Sequence, residues 1–278
     1  MGTTDNTGFT ILETMLFLAI TGLLIVAMLV GVGTSINIQR YRDSVTSLKS
    51  FLQSQYSDID NVQNDRGNNW KCNSNAVTSQ SGALESRGQS DCVIIGKYIS
   101  IVDGATTVAP VIAFESSTSG SGSDIAILKS NYKLELSTVN QQTDSLAWGT
   151  ALAWANSSSG TGVDGSAGDR KNPTTPRSIA ILIVRSPTSG AVYTFTSDTV
   201  VPVSSVNNAT LQAMLVTGVG PIPSQKERTL CLDSQGLVVT GSIAIIIRAY
   251  ATAANSIETR SNDVATQLIG AAKAYQCQ

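Results

Sequence analysis

Between Thr14 and Gln39 the chain carries no charged side chain for 26 consecutive residues. Inside that window residues 15–33 (MLFLAITGLLIVAMLVGVG) are almost uniformly apolar. About 20 such residues make a helix that spans the hydrocarbon of a bilayer, at ~1.5 Å per residue. A stretch this long and apolar on every side cannot rest in water, so it needs lipid, a protein core, or copies of itself. Its position close to Met1 favours lipid over the core of a globular domain.

The pattern then turns amphipathic. Ile38, Tyr41, Val45, Leu48, Leu52 and Ile59 recur mostly at three- and four-residue steps, with Arg42, Ser47, Lys49, Gln53 and Asp58 between them. Neither Pro nor Gly interrupts residues 34–66. The sequence predicts one continuous helix from Phe9 to Asn61, on the order of 80 Å long. Its first half is lipid-soluble and its second half packs on a domain. Neither a cleaved secretory signal nor a plain signal anchor fits well. Residues 1–14 hold Asp5 and Glu13 but no Lys or Arg, and the nearest cations, Arg40 and Arg42, follow the apolar run. Glu13, an ionisable group at the edge of such a run, marks a functional position.

Gly8-Phe9-Thr10-Ile11-Leu12-Glu13, followed by Thr14-Met15-Leu16 and the charge-free run, resembles the N-terminal motif of type IV prepilins. The resemblance covers residues 8–60. It implies a leader over residues 1–8, a helix over residues 9–64, and an extracytoplasmic head over residues 65–278. It further implies cleavage after Gly8 by a prepilin peptidase, N-methylation of the new terminal Phe9, and an assembly role for Glu13, which would pair with the Phe9 ammonium of a neighbouring subunit. The partners implied are the membrane, the pilus assembly machinery and other pilins in a homo- or hetero-oligomeric filament. The expected location is a single pass through the cytoplasmic membrane before assembly, then a filament at the cell surface. The leader carries Asp5 and no basic residue, whereas pilin leaders are usually basic; such residues would be expected upstream of Met1. The proline common in the family's membrane half is absent, and Gly22, Gly31 and Gly33 supply local softness instead.

The remainder of the chain predicts a fold of the α+β class, a long N-terminal helix packed on a mainly antiparallel, β-rich head. Strands are expected over 92–102, 108–115, 125–136, 178–185, 191–196, 228–232 and 237–248, with turns at 186–190 and 233–236 and a short helix at 262–275. Residues 116–124 and 156–177 are low-complexity loops. Asp164 and Asp169 in the second offer carboxylates to a cation, but not with the spacing of a known calcium loop. Asn156 and Asn208 stand in glycosylation sequons that match by chance often enough to mean little. Trp148 and Trp154 are expected in the core or on a sheet face.

Composition closes off other function classes. The chain has no histidine, which removes imidazole bases and most zinc sites. It also lacks a nucleophile elbow, a Walker loop or a dinucleotide fingerprint, so no enzyme and no cofactor are expected. A net charge of −2 gives no phosphate-neutralising surface for nucleic acid. Charged residues are only 14%, while 35 Ser and 29 Thr supply neutral polarity, as suits an exported chain. Four cysteines without a C-x-x-C pair point to two disulfides. Of three connectivities, Cys72–Cys92 with Cys231–Cys277 closes the shorter loops; four separate buried thiols are the alternative. The functional expectation is a structural subunit of a type IV pilus or related pseudopilus, a minor one given the long head, serving adhesion, twitching motility, DNA uptake or secretion. The competing expectation is a membrane-anchored surface binding protein that does not polymerise.

Overall fold

The computed structural model describes residues 11–61, 70–80, 90–153, 178–197, 200–216, 225, 227–233 and 243–261. Helix α1 runs unbroken over Ile11–Asp60. Its apolar stripe is buried from Tyr41 onward, through Val45, Leu48, Leu52, Tyr56 and Ile59. Ser44 and Gln55 share that stripe, polar positions that periodicity alone had left aside.

Among the described residues the head has two antiparallel sheets and a small hairpin. The strands are β1 (Trp70–Cys72), β2 (Thr78–Gln80), β3 (Cys92–Val102), β4 (Ala105–Glu115), β5 (Tyr132–Leu136), β6 (Gln142–Ser145), β7 (Ala151–Ala153), β8 (Ser178–Arg185), β9 (Val192–Ser197), β10 (Arg228–Asp233), β11 (Ile243–Ile247) and β12 (Ile257–Ser261). The larger sheet has the order β5-β4-β3-β8-β9, with β6 also pairing β4. The second has the order β12-β11-β10-β7, and β1 pairs β2 in a two-stranded sheet. The α+β class read from the sequence is the class observed.

Strand β8 shows how the layers arise. Its run SIAILIVR has no polar alternation because both faces are buried. Ile179, Ile181 and Ile183 point toward α1, joining Leu48, Leu52, Leu230 and Ile245 in one core. Ala180, Leu182 and Val184 point the other way, toward Phe195, Leu128 and Leu211. That second core is covered by α2 (Asp124–Asn131) and α3 (Asn208–Met214). A register shift between Ile94 and Gly96 on β3 puts Ile95 with Tyr98 in this second core, as a bulge does. The bulge needs glycine: a Cβ on Gly96 would lie 2.1 Å from the Ile183 carbonyl oxygen.

The expected strand over 125–136 is half helix. Ser123 caps α2 by accepting from the Ala126 N–H, Asp124 lies in the first turn and Lys129 in the last, so local capping overrides the β-branched composition until Tyr132. Of the expected strand over 237–248, Ile243–Ile247 is strand, Arg248 lies past its end, and 237–242 fall outside the described residues. The turn 186–190 does join β8 to β9, with Gly190 at φ 75°. The turn at 233–236 (Asp233 aside), the loop at 156–177 with Asp164 and Asp169, Asn156, Trp154 and the helix at 262–275 lie outside the described residues. β1, β2, β6, β7 and β12 are strands that composition did not mark, most of them short or polar.

Burial of α1 gives the head a pH response. The Tyr56 hydroxyl shares a hydrogen bond with Thr194 Oγ1 (2.9 Å), and burial pushes its pKa up to about 12, although Thr194 pulls the other way. Because the folded pKa lies above the unfolded value near 10, the folded state holds the phenolic proton longer. That contribution is whole below pH ~10 and is lost as pH rises toward 12, amounting to about 2–3 kcal/mol. Tyr56→Phe should therefore flatten the loss of stability between pH 10 and 12, measured by urea unfolding. An equally steep loss in that variant would show that Tyr56 is not its source.

Candidate functional site

The part of α1 that the head does not cover is the candidate site. From Ile11 to Gln39 no side chain is buried, and the most apolar 18-residue window is 0% buried. Ile11, Leu12, Leu23 and Met28 are each more than 70% exposed. One helix is thus long and apolar enough to cross a membrane. Its uncovered reach, from Ile11 to Ile36, is ~39 Å.

The threonines of this stretch bond back to their own helix. The hydroxyls of Thr14, Thr21 and Thr34 donate to the carbonyls of Ile11, Phe17 and Gly31 at 2.8–2.9 Å. A threonine that returns its hydroxyl to its own helix presents mainly a methyl group outward, and so sits in hydrocarbon at little cost. Glu13 has no such recourse. It projects from the first turn, exposed, and no described cation pairs with it. Gly8 and Phe9, the expected cleavage and methylation positions, lie outside the described residues.

At the other end the helix is fixed to the head. Tyr41, the first fully buried residue, receives a hydrogen bond from the Ile243 N–H (3.1 Å) on its hydroxyl oxygen. Ser44 Oγ and Thr150 Oγ1 lie 2.5 Å apart, joining α1 to the segment before β7. Farther along, Gln53 donates to the carbonyls of Ala254 and Ile257, and Lys97 reaches both Gln55 and Asp58 (3.0 and 2.5 Å). These polar ties set the rotation of α1 on the head, which apolar packing alone leaves looser.

Trp148 is neither in the core nor on a sheet face, the two places expected, but in the short turn Ala147–Gly149. It is 57% exposed at the place where α1 leaves the head, with the Arg40 guanidinium 5.1 Å from its ring centroid. Its position could not be read from sequence, because it lies 108 positions from Arg40. The charge of Arg40 immediately after the apolar run was the only available signal.

Cys72 and Cys92 form a disulfide with a Cα separation of 6.1 Å, tying the β1–β2 hairpin to the start of β3. A loop of that size stabilises by roughly 3 kcal/mol. Cys231 is also disulfide-bonded, while Cys277 lies outside the described residues. Asn208 is engaged structurally, accepting from the Leu134 N–H at 2.8 Å. Among the described residues no three potential metal ligands come together. A groove of about 580 Å³ is lined by Ile94, Ile95, Pro110, Ile112 and Arg185, with no carboxylate among its described lining residues.

Comparison with protein-family models, with curated proteins and with solved structures gives no match for this chain.

Proposed function

We propose that the chain is a structural subunit, a minor one, of a type IV pilus or a related pseudopilus, processed after Gly8 and assembled through the uncovered half of α1. The observation that supports this is the division of α1 at Tyr41. One half organises the core of the head, and in the other, from Ile11 to Gln39, no side chain is buried against the described residues. A bilayer satisfies that half before assembly, and a bundle of the same helices satisfies it afterwards.

The bundle reading also gives Glu13 a purpose. A lone carboxylate among packed apolar helices is costly unless it meets a cation. Cleavage after Gly8 creates one on Phe9, and the same pairing on every subunit sets the axial stagger. Adhesion, twitching motility, DNA uptake or secretion would then belong to the assembled filament and not to a catalytic centre in the head. The test is the N-terminus of the mature chain: N-methylated Phe9 supports the proposal, and an intact Met1 or a cut near Gly33 defeats it.

A further inference from the structure

The exposed Trp148 sits in a setting built to hold it out. Its φ of 61° is left-handed, a conformation a bulky residue rarely takes without compensation. The surrounding segment is tied on two sides. Leu146 N–H donates to Gly104 O (2.7 Å) and Leu152 N–H to Asp103 O (2.9 Å), fixing it to the turn between β3 and β4. The Ser44–Thr150 hydrogen bond fixes it to α1, and Leu146 is buried beneath it. Arg40 lies over the ring, exposed, one residue before buried Tyr41; Arg42 stands one residue after it, on the other flank of the helix.

We propose that Trp148 and Arg40 seat the head on phospholipid headgroups, an inference that rests on reading the uncovered half of α1 as a membrane span. Ile36 is the last large apolar side chain of α1 that remains exposed, and Arg40 is one helical turn beyond it. That is ~6 Å, matching a headgroup layer on the order of 5–7 Å beside a ~30 Å hydrocarbon core. Trp prefers this zone because its ring is apolar and its N–H is polar, and a guanidinium there meets lipid phosphate. The occupant follows from continuity, since the pair lies directly beside the segment that lipid covers. The contact fixes how deep the subunit waits in the membrane and which way the head faces.

The test uses the full chain in phosphatidylcholine vesicles containing phosphatidylglycerol, with Trp70→Phe and Trp154→Phe leaving Trp148 as the sole indole. Trp148 fluorescence should be quenched more by lipid spin-labelled at the headgroup than by lipid labelled at mid-chain, with loss of quenching by aqueous acrylamide. Arg40→Gln should leave insertion intact and lower the seated population about fivefold, the effect of one cation near an anionic surface. A chain that enters vesicles yet leaves Trp148 open to acrylamide and untouched by headgroup label overturns the seat alone. Quenching changes that vanish when the protein is diluted in lipid indicate contact between copies and likewise overturn it. A chain that never enters vesicles overturns both the seat and the membrane reading beneath it.

Discussion

Glu13→Ala should abolish assembly while leaving membrane insertion intact. Removing a carboxylate from the edge of an apolar span makes insertion easier, since a charged residue disfavours it by up to about 3 kcal/mol at the helix centre and by less near the ends. In a bundle the substitution has the opposite sign, because it leaves the Phe9 ammonium of the neighbour without a partner in a low-dielectric setting. Removing one member of a buried ion pair costs about 3–5 kcal/mol, equivalent to a loss of roughly 10²–10⁴-fold in each subunit contact. Glu13→Gln should fail similarly, because it keeps shape but not charge. The measurement is incorporation of each variant into sheared filaments relative to its amount in the membrane fraction. Equal incorporation of Glu13→Ala and the unchanged chain would refute the pairing.

Leu52→Ala should destabilise the head by about 2–5 kcal/mol, the range for truncating a leucine where the surroundings cannot close the space. Leu52 is 1% exposed and belongs to a core that also contains Ile181 on the larger sheet and Leu230 and Ile245 on the smaller one. α1 is the element that both sheets share, so the cavity would open beneath each of them. Leu23→Ala deletes the same atoms from the uncovered half, where Leu23 is 71% exposed, and should move head stability by no more than about 0.5 kcal/mol. Urea unfolding of the full chain in detergent, followed by near-UV circular dichroism, separates the two. Similar effects from both substitutions would mean that α1 is not divided as described.

The long helix was legible because its two halves obey different rules that sequence displays directly. A charge-free run shows one, and apolar residues at three- and four-residue steps show the other. Strand β8 was equally legible, since a strand buried on both faces becomes a continuous apolar run, and β3 was marked by its β-branched residues despite Lys97 and Ser100. Residues 125–131 were misread as strand because Ile125, Ile127 and Leu128 suit either a buried strand or a short helix, and the capping geometry at Ser123 decides between them. The polar ties of α1 to the head, Ser44 to Thr150 and Lys97 to Asp58, join residues 106 and 39 positions apart. No local pattern announces such a pair. Trp148 escaped for a related reason: an aromatic held outward by distant hydrogen bonds has the same local sequence as one turned inward. Glu13 stands out in sequence because it interrupts an apolar context, and the folded monomer adds only that no described partner answers it.

What happens after Gly8 decides whether the chain assembles as a pilin-like subunit. Digesting the mature chain with a protease that cuts after glutamate would release the segment ending at Glu13, and its mass identifies the start. A pilin-like subunit should release the pentapeptide Phe-Thr-Ile-Leu-Glu carrying one extra methyl group on its terminal amine. A segment that still begins at Met1, or a mature chain that starts beyond Gly33 and has no such peptide, would contradict it.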